Sequence, residues 1–327
     1  MSELPKPHQP DTLMNKITAL QVSLLISLTA SAATGKIDLS GEWQFGYGDT
    51  PAYNDMLTLP GSMLTNGKGN EVDTETKWTG SLYDMSYYYA DRYAPYRENG
   101  NIKFPFFLTP DKEYVGNAYY RRSADIPADW KGRRITLHLE RPHIETTVTV
   151  NGHKAGHRMS LSTPHEYDIT EFVTPGKSNE IEITVYNGIE NVCVGQDSHS
   201  VTDQTQGNWN GITGEIFLQS APADNYIRNV RIFPDVKGKK AEVLVTRGGS
   251  AKKTRSASVR AVSSDGTDVY NVTRHTVSGD TLRFTIDMGD RMKTWDEFST
   301  PYYDVTVNLD DDTATTVFGM RDIEVRG

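Results

Sequence analysis

The sequence predicts an all-β protein of two successive sandwiches. Short runs with period-two alternation or β-branched richness follow one another between Gly, Pro, Asn and Asp clusters, and long helical periodicity is absent. The clearest runs are "RRITLHLE" (133–140), "TTVTVNG" (146–152), "NEIEITVYN" (179–187), "EIFLQ" (215–219), "EVLVTR" (242–247), "SASVRAV" (256–262), "LRFTID" (282–287) and "YYDVTVNL" (302–309). Asn151-Gly152 is a hairpin signal, because both residues tolerate the positive φ of a tight two-residue turn. At 327 residues the chain is long enough for about two domains. The expected boundaries are 1–33 for a leader and signal peptide, 34–222 for the first sandwich and 223–327 for the second, with "APAD" (221–224) as the joint. "TWDEFSTPYY" (294–303) reads as the bend before the last hairpin, with Trp295 an anchor of the core or of the domain junction.

Composition excludes several classes. Lys plus Arg number 34 against 43 Asp plus Glu, a net charge of −9, and no basic stripe exists to neutralise phosphates. Nucleic acid is therefore not an expected partner, nor is a membrane once the signal peptide is cleaved. The single cysteine, Cys193, rules out an intrachain disulfide framework, and it reads as a small buried residue. Near the N-terminus, "MNKITALQVSLLISLTASAATG" has a lysine, a short apolar core and a small-x-small ending. That is the three-part pattern of a secretory signal peptide from about Met14 to Ala33, and the mature chain is expected outside the cytoplasm, periplasmic or extracellular.

Three places carry candidate chemistry. His138, His143, His153 and His157 are the nearest metal-like cluster, but no pair has companion carboxylates in a rigid frame, so no metal is expected. No dinucleotide or phosphate loop is present either, and no cofactor is expected. An irregular insert, residues 59–111, holds "YDMSYYYADRYAPYR" (83–97). Such rings suit either a sugar-lined pocket or the plugging of an open sandwich end. The third place is "TDQTQGNWNG" (202–211), where Asp203, Gln204, Asn208 and Asn210 bring donors and acceptors together around Trp209. Polyol recognition needs that mixture, although turns use the same residue types.

The order "LSGEWQF" (39–45), "LPGSM" (59–63), "YVGNAYYRRSADIPADW" (114–130), "LHLERPHIETTVTVNGHKAG" (137–156), "PHEYDIT" (164–170), "NEIEITVYN" and "GNWNGITGEIFL" (207–218) resembles the N-terminal sugar-binding domain of glycoside hydrolase family 2. "IRNVRIFPD" (227–235), "TWDEFSTPYYDVTVNL" (294–309) and "FGMRDIEVRG" (318–327) are similar to the immunoglobulin-like domain of the same enzymes. The resemblance implies a galactose-binding-like jelly roll followed by an immunoglobulin-like sandwich. In the family a TIM barrel follows and carries both catalytic glutamates. That barrel is absent from this sequence, so no catalytic residue is assigned and the chain is expected to be inactive alone. The resemblance also implies a sugar contact from an Asp upstream of the Gly-Ile strand start, and Asp203, eight residues before Gly211, matches that spacing. Asp203, Gln204, Asn208 and Trp209 are the expected substrate-binding residues.

The expected function is that of the non-catalytic N-terminal portion of an exported glycosidase acting on β-glycosides. Its expected partners are a carbohydrate and a separately encoded catalytic barrel. The alternative is a free-standing secreted carbohydrate-binding module. "YVGNAYYRR" departs from the family pattern at Asn117 and Tyr119, which leaves the choice of sugar open.

Overall fold

A computed structural model describes residues 35–105, 109–193, 198 and 207–323. The expected signal peptide lies outside the described residues. The first sandwich pairs a six-stranded sheet with a four-stranded one. The larger runs in the order His153–Met159, Glu145–Val150, Ser178–Tyr186, Asn117–Asp125, Gly41–Tyr47, Asp55–Leu59. The smaller runs Gly35–Asp38, Ile216–Pro222, Arg133–Leu139, His165–Asp168. Neighbours in both sheets are antiparallel, and the architecture is a jelly roll.

Sequence alternation dictates which side chains enter the core. In Ser178–Tyr186, Ile181, Ile183 and Val185 all point inward, and in Arg133–Leu139 so do Ile135, Leu137 and Leu139. Trp43 and Tyr120 are the bulkiest fully buried members, and the Trp43 indole N–H donates to Leu39 O at 3.0 Å, so its polar atom is satisfied. At Asn151-Gly152 both residues have positive φ, 49° and 79°, and Val150 faces His153 across the turn. The twist of that turn matches the twist of its flanking strands.

The second sandwich is immunoglobulin-like. Tyr226–Asp235, Lys240–Gly248 and Thr281–Asp287 face a four-stranded sheet ordered Val269–Ser278, Lys253–Ser263, Tyr303–Leu309, Asp312–Phe318. Val243, Val259, Phe284, Tyr303 and Val305 fill the space between, as a cluster separate from that of the first sandwich. Trp295 is half-buried: its backbone N–H donates to Met320 O at 2.9 Å and the Arg321 guanidinium lies 4.1 Å from its ring.

Between the two cores the chain passes through a polar knot. Ala221 and Pro222 still pair with Arg134 and Arg133 as the end of a strand. Asn225 then donates to Asp310 Oδ2 at 2.8 Å and accepts from the buried Arg247 at 2.9 Å. Arg247 also donates to Gly279 O at 2.7 Å and to Thr254 Oγ1 at 3.2 Å. Arg134, paired with Asp168 at 2.9 Å, lies over the Tyr226 ring.

Candidate functional site

A third, minor sheet gathers the loop ends of the jelly roll. Gly211–Ile212 runs between Gly61–Ser62 and Pro142–His143, and Met63 N donates to Asn210 O at 2.8 Å. Gly211 is obligatory there: at φ 149° an added Cβ would lie 2.4 Å from Gly61 O and 2.6 Å from Ser62 Cα, both backbone atoms. Three distant segments thereby meet beside residues 207–210.

Three asparagines fix that stretch. Asn210, buried, accepts from the Tyr120 hydroxyl at 2.9 Å and donates to Val185 O at 3.0 Å and Gly116 O at 3.1 Å. Asn187, also buried, accepts from Gly116 N at 2.9 Å and donates to Tyr114 O at 2.8 Å. Asn208 donates to Asn187 O at 2.9 Å and to Thr79 Oγ1 at 3.4 Å. Because Asn187 O can only accept, the Asn208 amide nitrogen must face it, and Oδ1 is left to meet His143 Nε2 at 3.2 Å. The His143 proton therefore sits on Nε2. Burial pushes the pKa of this imidazole down to about 4, opposed by the Asn208 bond, so the ring is neutral at pH 7.

Trp209 stacks on that ring, with centroids 4.4 Å apart and planes 16° from parallel. The indole is half-buried and borders a cavity of about 270 Å³ together with Arg141, Pro142, His143, Leu161, Ser162 and Thr213. The expected sugar-contact residues thus divide. Asn208 spends its amide on His143, Asn187 and Thr79, and so acts as a bracket. Trp209 borders open space. Asp203 and Gln204 lie outside the described residues.

The aromatic insert builds a small core of its own. Trp78 and Tyr87 are buried, each within 5.1 Å of the Phe104 ring centroid. Tyr88 donates to Thr76 O at 2.6 Å, and Arg97 donates to the carbonyls of Tyr87 and Ala90. Thr79 connects the insert to the asparagine bracket. These rings pack on one another, while Leu82, Tyr83, Met85 and Tyr89 remain exposed.

The histidines go to four different places. His138 stacks on Phe217 and meets Glu166, His153 neighbours Phe172, and His157 meets Glu145. Among the described residues no group of three or more His, Cys, Asp or Glu is arranged to hold a metal. Cys193 corrects the sequence expectation: it is exposed, because it lies in the loop after Ser178–Tyr186 and not on a core-facing strand position.

Sequence reasoning missed Asn187 and Tyr120 and offered His143 only as a member of a metal-like cluster, and one signal was available. Asn187 continues the inward parity of Ile181, Ile183 and Val185, so a polar residue there is placed by its alternation inside the sandwich.

A glycosidase general acid needs a raised pKa. Where a described carboxylate has a shifted pKa the shift is downward, as at Asp38, held by Ser40, Glu166, held by His138, and Asp265, held by Lys293. The 400 Å³ cavity around Asp38, Glu140 and Glu215 is likewise no acid pair. Glu215 is bound by Lys36 at 2.9 Å, and Glu140 accepts from Glu215 N at 2.9 Å.

The described chain is thus a jelly roll whose loop end holds a fixed aromatic beside a polar-rimmed cavity, joined to an immunoglobulin-like sandwich. Residues 37–222 match the family model described as glycosyl hydrolases family 2, sugar binding domain, and the chain belongs to that family. It is 24% identical over 314 residues to the β-galactosidase large subunit of Leuconostoc lactis, covering 88% of this chain and 46% of that protein. A putative β-glucuronidase of Formosa agariphila is 29% identical over 140 residues, covering 42% and 16% respectively. Among solved structures, the β-glucuronidase of Faecalibacterium prausnitzii superposes with a TM-score of 0.59 at 20% identity, covering 90% of this chain and 48% of that one. That of Dictyoglomus thermophilum gives 0.56 at 19% identity, covering 90% and 45%. The chain therefore spans about half the length of these enzymes where it matches them end to end.

Proposed function

We propose that this chain is the N-terminal, non-catalytic portion of an exported family 2 glycosidase acting on β-glycosides, and that its 203–210 segment contributes sugar contacts to an active site completed by a TIM barrel. The barrel, continuing this polypeptide or separately encoded, would supply the acid and the nucleophile. The observation that carries this reading is the asparagine bracket. Asn187, Asn208 and Asn210 pin Trp209 at the loop end of the jelly roll, and preorganised contacts of this kind are what positioning a substrate requires.

Chromogenic β-galactosides and β-glucuronides test this. The purified chain alone is expected to show no turnover, and fusion of a family 2 barrel after Gly327 is expected to give turnover that Asp203→Ala lowers 10-fold or more. Robust hydrolysis by the chain alone, abolished by changing one of its own acidic residues, would overturn the reading. Export predicts a secreted species whose N-terminal sequencing begins near Thr34.

The cavity beside Trp209 favours one second reading, a free-standing secreted carbohydrate-binding module, because an aromatic ring bordering a polar-rimmed concavity is what sugar recognition needs. Sugar binding by the chain together with no turnover by the barrel fusion is its distinguishing property.

A further inference from the structure

We infer that the cavity between Trp209 and the 160–163 turn is a subsite for one neutral pyranose ring, held by this chain's own residues, so that the substrate is an extended glycoside with a second sugar to be gripped. The inference rests on the reading of the chain as the sugar-contacting part of a glycosidase, and it names the kind of substrate.

A pyranose presents an apolar C–H face and a rim of hydroxyls, and a site for it needs a flat apolar platform with donors and acceptors at its edge. Trp209 supplies the platform. It is fixed from behind by His143, which is 7% exposed and itself held by Asn208, so the indole loses little freedom when a ring docks. Pro142 and Leu161 extend the apolar wall.

The rim is polar and rigid. The Ser160 hydroxyl accepts from Ser162 N at 3.2 Å, from Thr163 N at 3.0 Å and from Thr163 Oγ1 at 2.7 Å, and this closed turn presents the exposed Ser162 hydroxyl. Across the cavity, the Thr213 hydroxyl donates to Arg141 O at 3.4 Å, which leaves its lone pairs to accept from a sugar hydroxyl. Arg141 adds guanidinium donors.

Charge and size choose the ligand class. Glu140 lies 3.7 Å from the Arg141 guanidinium and offsets it, so the rim favours a neutral sugar over a uronate. At about 270 Å³ the cavity is smaller than the roughly 300–1,000 Å³ of pockets for drug-sized ligands, which suits one ring and not a chain.

The test is titration of the full chain with lactose, cellobiose, methyl β-D-galactopyranoside and methyl β-D-glucuronide, followed by saturation-transfer NMR. Trp209→Ala removes the platform. Ser162→Trp fills the cavity from the opposite wall while leaving Trp209, His143 and Asn208 unsubstituted, and decides the matter if Trp209→Ala fails to fold. The expected result is millimolar binding of a neutral disaccharide, weakened at least 10-fold by each folded variant. No disaccharide binding to the unaltered chain, or binding unchanged by Ser162→Trp, would sink the subsite, and a preference for the glucuronide would sink its neutrality. Any of these outcomes alongside turnover by the barrel fusion overturns the subsite alone, whereas disaccharide binding with no turnover by the fusion overturns the glycosidase reading.

Discussion

Asn210 is a residue whose side chain replaces part of a sheet. It lies past the end of the Ser178–Tyr186 and Asn117–Asp125 ladder and satisfies Val185 O, Gly116 O and the Tyr120 hydroxyl at once. Asn210→Ala strands those three buried groups and is expected to destabilise the jelly roll by about 2–4 kcal/mol, read from urea midpoints. A cost below about 0.5 kcal/mol would show that the groups find other partners. His143 and His165 make a second prediction. Burial lowers both pKa values to about 4, against about 6.5 in an unfolded chain. Between those values the unfolded chain binds more protons, so stability rises with pH across this window. The contribution is complete above about pH 6.5, is lost as pH falls towards 4, and is on the order of 3 kcal/mol per histidine. His165 Nδ1 sits 2.6 Å from Thr146 Oγ1, and its Nε2 has no partner. The Tyr167 hydroxyl donates to Thr146 O, so Thr146 Oγ1 donates to Tyr167 and accepts from His165 Nδ1, leaving Nε2 as the bare acceptor. Urea titrations at pH 7, 5.5 and 4.5 are expected to show falling midpoints, with a shallower fall in His165→Gln. A flat profile down to pH 4.5 would contradict this account.

At the scale of elements, the insert behaves as a small folding unit. Its rings cluster around Tyr87 and Phe104, and short helical turns at Thr79–Leu82, Ser86–Tyr89 and Asp91–Tyr96 replace ladder pairing. Tyr87→Ala removes the ring that meets Tyr88, Tyr93 and Phe104, at a cost of about 3 kcal/mol. Because those contacts lie within the insert, limited proteolysis is expected to cut between residues 76 and 105 while the far-ultraviolet spectrum of the sandwiches stays unchanged. The strands themselves were legible in sequence. "NEIEITVYN" lies within Ser178–Tyr186 plus one residue, and "EVLVTR" within Lys240–Gly248. Alternation reports a half-buried strand directly, since period two is imposed by the pleat. The insert was legible only as a choice between pocket and plug, because aromatic composition says that rings are buried somewhere without saying against what. Loop 207–210 had the same ambiguity: Asn, Gly and Asp suit turns and ligands equally.

At the scale of the molecule, the junction between the sandwiches is held by side chains from three separate stretches. Arg247 from the second sandwich reaches Asn225 in the connection, and Asn225 reaches Asp310 near the last hairpin. Arg247→Ala leaves Gly279 O and Asn225 Oδ1 without their buried donor and is expected to cost about 2–3 kcal/mol in the second sandwich. A lowered unfolding midpoint for the second sandwich, with that of the first unchanged, checks it; an equal loss in both would mean that the two unfold as one. The sequence by itself determined the all-β class, the positions of several strands along the chain, the Asn151-Gly152 hairpin and the family, since these rest on local periodicity, turn chemistry and motif order. Only the tertiary structure decided that Asn208 is a bracket while Trp209 faces a cavity, that Asn187 and His143 belong beside them, and that the insert packs on itself. The physical reason is partner choice. A hydrogen-bonding or stacking side chain has its role fixed by what the fold sets against it, and here those partners come from up to 129 residues away in the chain, as Thr79 does for Asn208.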